Sequence, residues 1–410
     1  MKGFSTKAVH GKALRKDPHG ALRFPLYDAV AFEQPSARDI QWAFEGRKPA
    51  HTYSRITNPS VEHFEQRINL LADSLGVVAL SSGMAAISNL MLTIAETGSN
   101  IVTTKYLFGN TYSLLESTLK PWGLEARYID MEDTDQLRRS IDHKTRAIFL
   151  EIITNPQLQV PDIEAISQVA RAQAVPLLVD GTLTTPYIFK SKDFGVDVEV
   201  ISSTKSISGG ATSVGGVIID NGTFDWGNCP RLEESAGKYG EFALLTKLKR
   251  EVYRNLGACL SPHNAYLQTL GLETLGLRID RSGANAQQIS EFLETCRKVR
   301  SVHYPGLKSS RYHERARAQF KGKFGGILTF ELESREKCFA FMDGLKLIKR
   351  ASNLNDNKTL ILHPASTIFC EYSSGEKEEM GVGESMLRLS AGIEDVVDIM
   401  EDIENNLAVI

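Results

Sequence analysis

No run of about 18 consecutive apolar residues, the minimum for a membrane-spanning helix, occurs in the 410-residue chain. Cysteine is scarce. Five residues (Cys229, Cys259, Cys296, Cys338 and Cys370) are an odd number at wide spacings with no C-x-x-C pair. That pattern argues against a zinc site or a disulfide framework and for a reducing cytoplasm. The nine histidines are scattered rather than spaced as ligands, so no metal is expected. An excess of one charge is also missing: 47 basic and 50 acidic residues leave a net charge of −3. Nothing global therefore favours nucleic acid or an anionic membrane. Neither G-x-G-x-x-G nor G-x-x-x-x-G-K-[ST] is present, which removes the glycine fingerprint of a nicotinamide dehydrogenase and that of a P-loop. The opening MKGFSTKAVHGKALRKDPHG has no apolar stretch of the kind a secretory signal carries, so a cytoplasmic location is expected.

What is present is the composition of an ordinary soluble protein, 42% hydrophobic and 24% charged. The length exceeds what a single core usually serves, so two domains are expected. From Phe64 to Gly216, helix-like and strand-like segments alternate. FEQRINLLADSLG reads as an amphipathic helix with Phe64, Ile68, Leu71 and Leu75 on one face. VVAL, NIVTT, EARYID, RAIFLEII, PLLVD and VEVIS read as short buried strands, separated by helices such as DIEAISQVARAQA. The alternation predicts an α/β fold: an open, mostly parallel sheet with helices on both faces. From about Val252 a long helical stretch is followed by the strands GGILTFEL, TLILHPAS and MLRLSAG, which predicts a smaller α+β domain. The expected division is a polar arm over residues 1–63, a large domain over 64–255 and a C-terminal domain over 256–410. The arm, with Pro18, Pro25, Pro35, Pro49 and Pro59, cannot build its own core and must pack on another surface.

Three stretches carry candidate chemistry. In SSGMAA (Ser81–Ala86) a strand-to-helix turn exposes backbone N–H groups at a helix N-terminus, a natural anion site. Taken alone, it reads more readily as an ordinary capped turn than as an anion site. Asp180 ends the strand of LLVDGT, at the carboxyl edge where open α/β sheets bind ligands, or else it merely caps a turn. Lys205 follows one βα unit later, also after a strand, between Ser202, Thr204 and two glycines. Phosphate donors, a strand-end acid and a strand-end amine together suggest pyridoxal phosphate. The amine would form a Schiff base, and Asp180 would keep the pyridine nitrogen protonated.

YSRITNPS (Tyr53–Ser60), SSGMAA, Asn155-Pro156, VDGT, SSTKSISGG, GLETL and LRLSAGIED occur in that order. In these pieces the chain resembles, from Thr6 to the last helix, the cystathionine γ-synthase-like enzymes of cysteine and methionine metabolism. These are a branch of the fold-type I pyridoxal phosphate enzymes. The resemblance implies that Lys205 carries the cofactor and that Asp180 contacts the pyridine nitrogen. It places the Gly83 and Met84 backbone and the Ser202 and Thr204 hydroxyls on the phosphate. Tyr53 and Arg55 would reach that phosphate from a neighbouring subunit. Arg388 would bind the substrate α-carboxylate, helped by Asn155 and the Asn353 backbone; without the resemblance Arg388 reads as a surface ion pair. A homotetramer built from two such dimers is implied.

Departures from the family pattern fall near the substrate. Phe108 stands where a tyrosine usually stacks on the cofactor, so a phenol is missing. Gly209-Gly210 is followed by Ala211 rather than histidine, and HPAST by Ile368-Phe369 rather than Thr-His. NLNDNKTLILHPAST (Asn353–Thr367) and FGNTYSLLE resemble the sulfide-using O-acetylhomoserine sulfhydrylases, and position 110 is Asn rather than the cysteine of methionine γ-lyases. The expected reaction is γ-replacement on O-acetylhomoserine by sulfide, giving homocysteine and acetate. Cystathionine γ-synthase, a cystathionine or methionine γ-lyase, and a non-catalytic regulator on the same fold are the alternatives.

Overall fold

The computed structural model describes residues 3–11 and 19–410; Pro18 of the arm lies outside them. Seven strands form the large sheet: β1 (Gly76–Leu80), β2 (Asn100–Thr103), β3 (Glu125–Tyr128), β4 (Thr145–Glu151), β5 (Leu177–Asp180), β6 (Val198–Ile201) and β7 (Gly216–Asp220). Their order is β1-β7-β6-β5-β4-β2-β3. Neighbours from β6 to β3 run parallel, and β7 runs antiparallel to both β6 and β1. Almost every residue of the four central strands β4–β7 is buried, which is why they read as continuous apolar runs. Separate apolar clusters cover the two faces. One contains Phe64, Ile68 and Leu71 of the helix Pro59–Ala72; the other contains Leu90, Met91 and Ile94 of the helix Gly83–Ile94.

The second sheet holds β8 (Ser301–His303), β9 (Ile327–Glu331), β10 (Lys349–Arg350), β11 (Leu360–Leu362) and β12 (Met386–Ser390) in the order β10-β11-β12-β9-β8. It is antiparallel except for β10–β11 and packs its own cluster of Phe330, Phe341, Ile399 and Ile403. The expected α/β architecture with a smaller second sheet is found.

Local details differ from expectation. The first long helix starts at Pro59, capped by the Asn58 side chain, and stops at Ala72, where Asp73 turns left-handed (φ 58°); Leu75 therefore lies past its end. The long helical stretch after Val252 is broken at Thr274 into Pro262–Glu273 and Leu275–Thr295. The arm is less irregular than its prolines suggest, with helices Phe4–His10 and Ala37–Phe44, the second capped by Ser36.

Candidate active site

Three parallel strands end side by side on one edge of the large sheet, and the loops leaving them define a cavity of about 280 Å³. Gly83, Met84, Phe108, Asn155, Asp180, Ser202, Thr204, Lys205 and Arg388 all line it. Residues more than 300 positions apart thus meet around one space.

At its floor, Ser82 caps the helix Gly83–Ile94. Its hydroxyl accepts from Ala85 N (3.0 Å) and its carbonyl from Ala86 N (3.0 Å). The N–H groups of Gly83 and Met84 are left as the orphan donors of the first turn, beside the positive end of the helix dipole. Glycine is required there by crowding: a Cβ at Gly83 would stand 2.6 Å from the Ser202 Cβ. Ser202 N donates to the Thr182 hydroxyl (2.8 Å), which ties the end of β6 to that of β5. The Thr204 hydroxyl exchanges bonds with the Gly215 backbone (3.1 and 3.0 Å).

Lys205 follows β6 in a tight turn that Gly209 completes at φ +92°, a conformation glycine adopts without strain. A side chain on Gly209 would meet the Gly271 Cα at 3.0 Å. The half-buried Lys205 amine donates to Asn353 Oδ1 (2.8 Å). Its partner is a neutral amide rather than a carboxylate. Burial and the nearby positive charge of Arg388 lower its pKa to about 8.

Arg388, on β12, is 2% exposed. Its Nη1 donates to Asn155 Oδ1 (2.9 Å) and its Nη2 to the Asn353 carbonyl (3.0 Å), while its buried Nε has no partner among the described residues. A buried guanidinium with an unsatisfied donor and, among the described residues, no carboxylate partner is costly in isolation and is set to receive an anion. The surface ion pair that the bare sequence allowed is therefore excluded.

Asp180 accepts from Thr182 N at 2.8 Å. Burial raises its pKa, and the Thr182 bonds oppose that rise. Its neighbour across the register is Glu151, a residue that sequence reasoning missed. Glu151 accepts from Phe108 N through one oxygen and from Asn155 N through the other (3.0 Å). A lone acid inside the apolar run RAIFLEII was the available signal. Thr182 was missed as well.

Tyr53 and Arg55 do not join this cavity. Tyr53, 38% exposed, bridges Ala31, and Arg55 stacks over its ring (5.4 Å) while donating to the Arg254 carbonyl (2.6 Å).

An amine facing a helix N-terminus across a strand-end acid, on a sheet of this order, is the arrangement of a fold-type I pyridoxal phosphate enzyme. The residues fit the cofactor: crowded glycine and orphan N–H donors suit a phosphate, and Asp180 suits a pyridine nitrogen. Comparison with known proteins agrees. Residues 5–408 match the family described as Cys/Met metabolism PLP-dependent enzyme, and the chain belongs to that family. It is 35% identical to the O-acetyl-L-homoserine sulfhydrylase of Leptospira meyeri, over 98% of this chain and 96% of that one. Among solved structures, a putative O-acetylhomoserine (thiol)-lyase of Campylobacter jejuni superposes with a TM-score of 0.92 at 31% identity. That match covers 99% of this chain and 100% of the other, which carries a pyridoxyl-lysine monophosphate. The O-acetylhomoserine sulfhydrylase of the methionine biosynthetic pathway of Wolinella succinogenes is 48% identical, covering 86% of this chain and 98% of that one, with a TM-score of 0.77.

Proposed function

We propose that the chain catalyses γ-replacement on O-acetyl-L-homoserine by sulfide, releasing acetate and L-homocysteine for methionine biosynthesis. The observation that carries this reading is the convergence of Lys205 and a paired, carboxylate-free Arg388 on one cavity, in a chain similar along nearly its whole length to O-acetylhomoserine sulfhydrylases.

Gly83 N, Met84 N and the Ser202 hydroxyl would hold the cofactor phosphate, joined by the Thr204 hydroxyl once its proton turns from the Gly215 carbonyl, with Asp180 on the pyridine nitrogen and Phe108 on one face of the ring. When bound, the cofactor supplies an electron sink that acidifies the substrate Cα–H. Arg388, oriented by Asn155 and Asn353, binds the α-carboxylate and so directs Cα–H toward Lys205. With Phe108 lacking a phenol, the Lys205 amine carries the proton first from Cα and then from Cβ. Acetate leaves from Cγ, and sulfide adds at the same carbon. An amine whose pKa is near 8 suits a group that must accept and return protons near neutrality.

Tyr53 and Arg55 complete the phosphate site of a second copy of the chain, so the functional unit is a dimer, and two dimers form a tetramer in the cytoplasm. Support comes from their solvent-facing position away from the chain's own cavity. The apolar surface of the same arm, with Val30 65% and Phe44 57% exposed, suits a covering subunit.

The test is purified protein given O-acetyl-, O-succinyl- or O-phosphohomoserine with sulfide, cysteine or no acceptor, with products identified by mass spectrometry. Homocysteine from the acetyl ester and sulfide is expected. Cystathionine as the main product, or 2-oxobutanoate without acceptor, would replace this reading with the synthase or the lyase.

A further inference from the structure

Glu151 has no part in the chemistry above, yet it lines the cavity and is only 4% exposed. It closes β4 directly beside Asp180 on β5. Each carboxyl oxygen receives a different loop: Oε1 accepts from Phe108 N and Oε2 from Asn155 N. The first loop carries the stacking ring; the second carries the amide that holds Arg388 Nη1. We propose that Glu151 is a positioning residue that bolts the Phe108 loop to the Asn155 loop, and so sets the ring platform and the substrate-carboxylate fork at a fixed separation.

A carboxyl suits this task because two backbone donors need two acceptor oxygens. A glutamine in its place would set an NH₂ against one of the N–H groups. Burial and the adjacent Asp180 both raise the proton affinity of Glu151, and the bonds from Phe108 N and Asn155 N oppose that rise, as the Thr182 bonds do for Asp180. Two neighbouring buried carboxyls cannot both ionise cheaply.

The inference rests on the site reading given above and is tested on cofactor-loaded protein by Glu151→Gln. Loss of one acceptor bond at a buried donor should raise KM for O-acetylhomoserine roughly ten-fold and leave KM for sulfide unchanged. The circular dichroism of the bound cofactor should change in intensity as its platform shifts, a readout that needs no turnover. If Glu151 acts through Asn155, the KM effects of Glu151→Gln and Asn155→Ala should combine to less than their product in the double variant. An unchanged KM and dichroism with only a lowered melting temperature would reduce Glu151 to a structural acid, and fully multiplicative KM effects would break its link to Asn155. Should Glu151→Gln not fold, Glu151→Asp, which keeps the carboxyl but shortens its reach, is read by the same criteria. A wild-type protein inert toward O-acetylhomoserine would overturn the proposed reaction, while the dichroism comparison would still decide the role of Glu151.

Discussion

Replacing Arg388 by lysine keeps the positive charge and removes the planar fork. In the native site one N–H of Nη1 and one of Nη2 are committed to Asn155 and Asn353, and Nε–H has no partner among the described residues. A guanidinium arranged in this way retains donors for a bidentate grip on a carboxylate, whereas an ammonium offers a single charged point. The substitution also leaves Asn155 Oδ1 or the Asn353 carbonyl without its donor. Losing one charge-assisted hydrogen bond costs about 1.5–3 kcal/mol, which corresponds to a rise of roughly 10- to 150-fold in KM for O-acetylhomoserine. Steady-state kinetics at saturating sulfide, with cofactor affinity followed separately by fluorescence, measures it. Cofactor affinity should be unchanged, since Arg388 is assigned to the substrate. A normal KM in folded Arg388→Lys protein would place the substrate carboxylate elsewhere and refute the assignment.

In cofactor-free protein the Lys205 amine should titrate near 8 rather than 10.5, so it is protonated below that pH and neutral above it. NMR of the isotopically methylated amine checks this, and Arg388→Leu should move the value upward by removing a neighbouring positive charge. A titration near 10.5 in the native protein would deny the buried setting. Arg55→Ala should weaken cofactor retention, and mixing it with Lys205→Ala protein should regenerate some active hybrid sites. No recovery, with hybrids shown to form, would mean that the arm serves its own chain.

The strand-end groups were legible because their signals are local. Asp180 closes an apolar run and Lys205 follows one after three hydroxyl residues, each before glycine or hydroxyl residues, and the parallel pairing of β4 to β6 brings those ends to one edge. The pairing of Lys205 with Asn353 was not legible, since 148 residues and a second sheet separate them. Glu151 was hidden for a related reason: a single acid in RAIFLEII looks like a strand terminus until Asp180 and two loop N–H groups are seen around it. The strand β7 was not among the segments read as strands, and its antiparallel direction could not follow from GGVIID, since direction is set by chain connection rather than by composition. The break at Thr274 lies within the helical run that GLETL continues, and no proline marks it.

The most direct test of the central claim is the reaction of O-acetylhomoserine and sulfide in deuterium oxide, with the homocysteine examined by NMR and mass spectrometry. If Lys205 moves protons at Cα and Cβ before sulfide adds at Cγ, the product carries solvent deuterium at both carbons. Homocysteine free of deuterium would mean that sulfide displaces acetate directly, and would contradict the account.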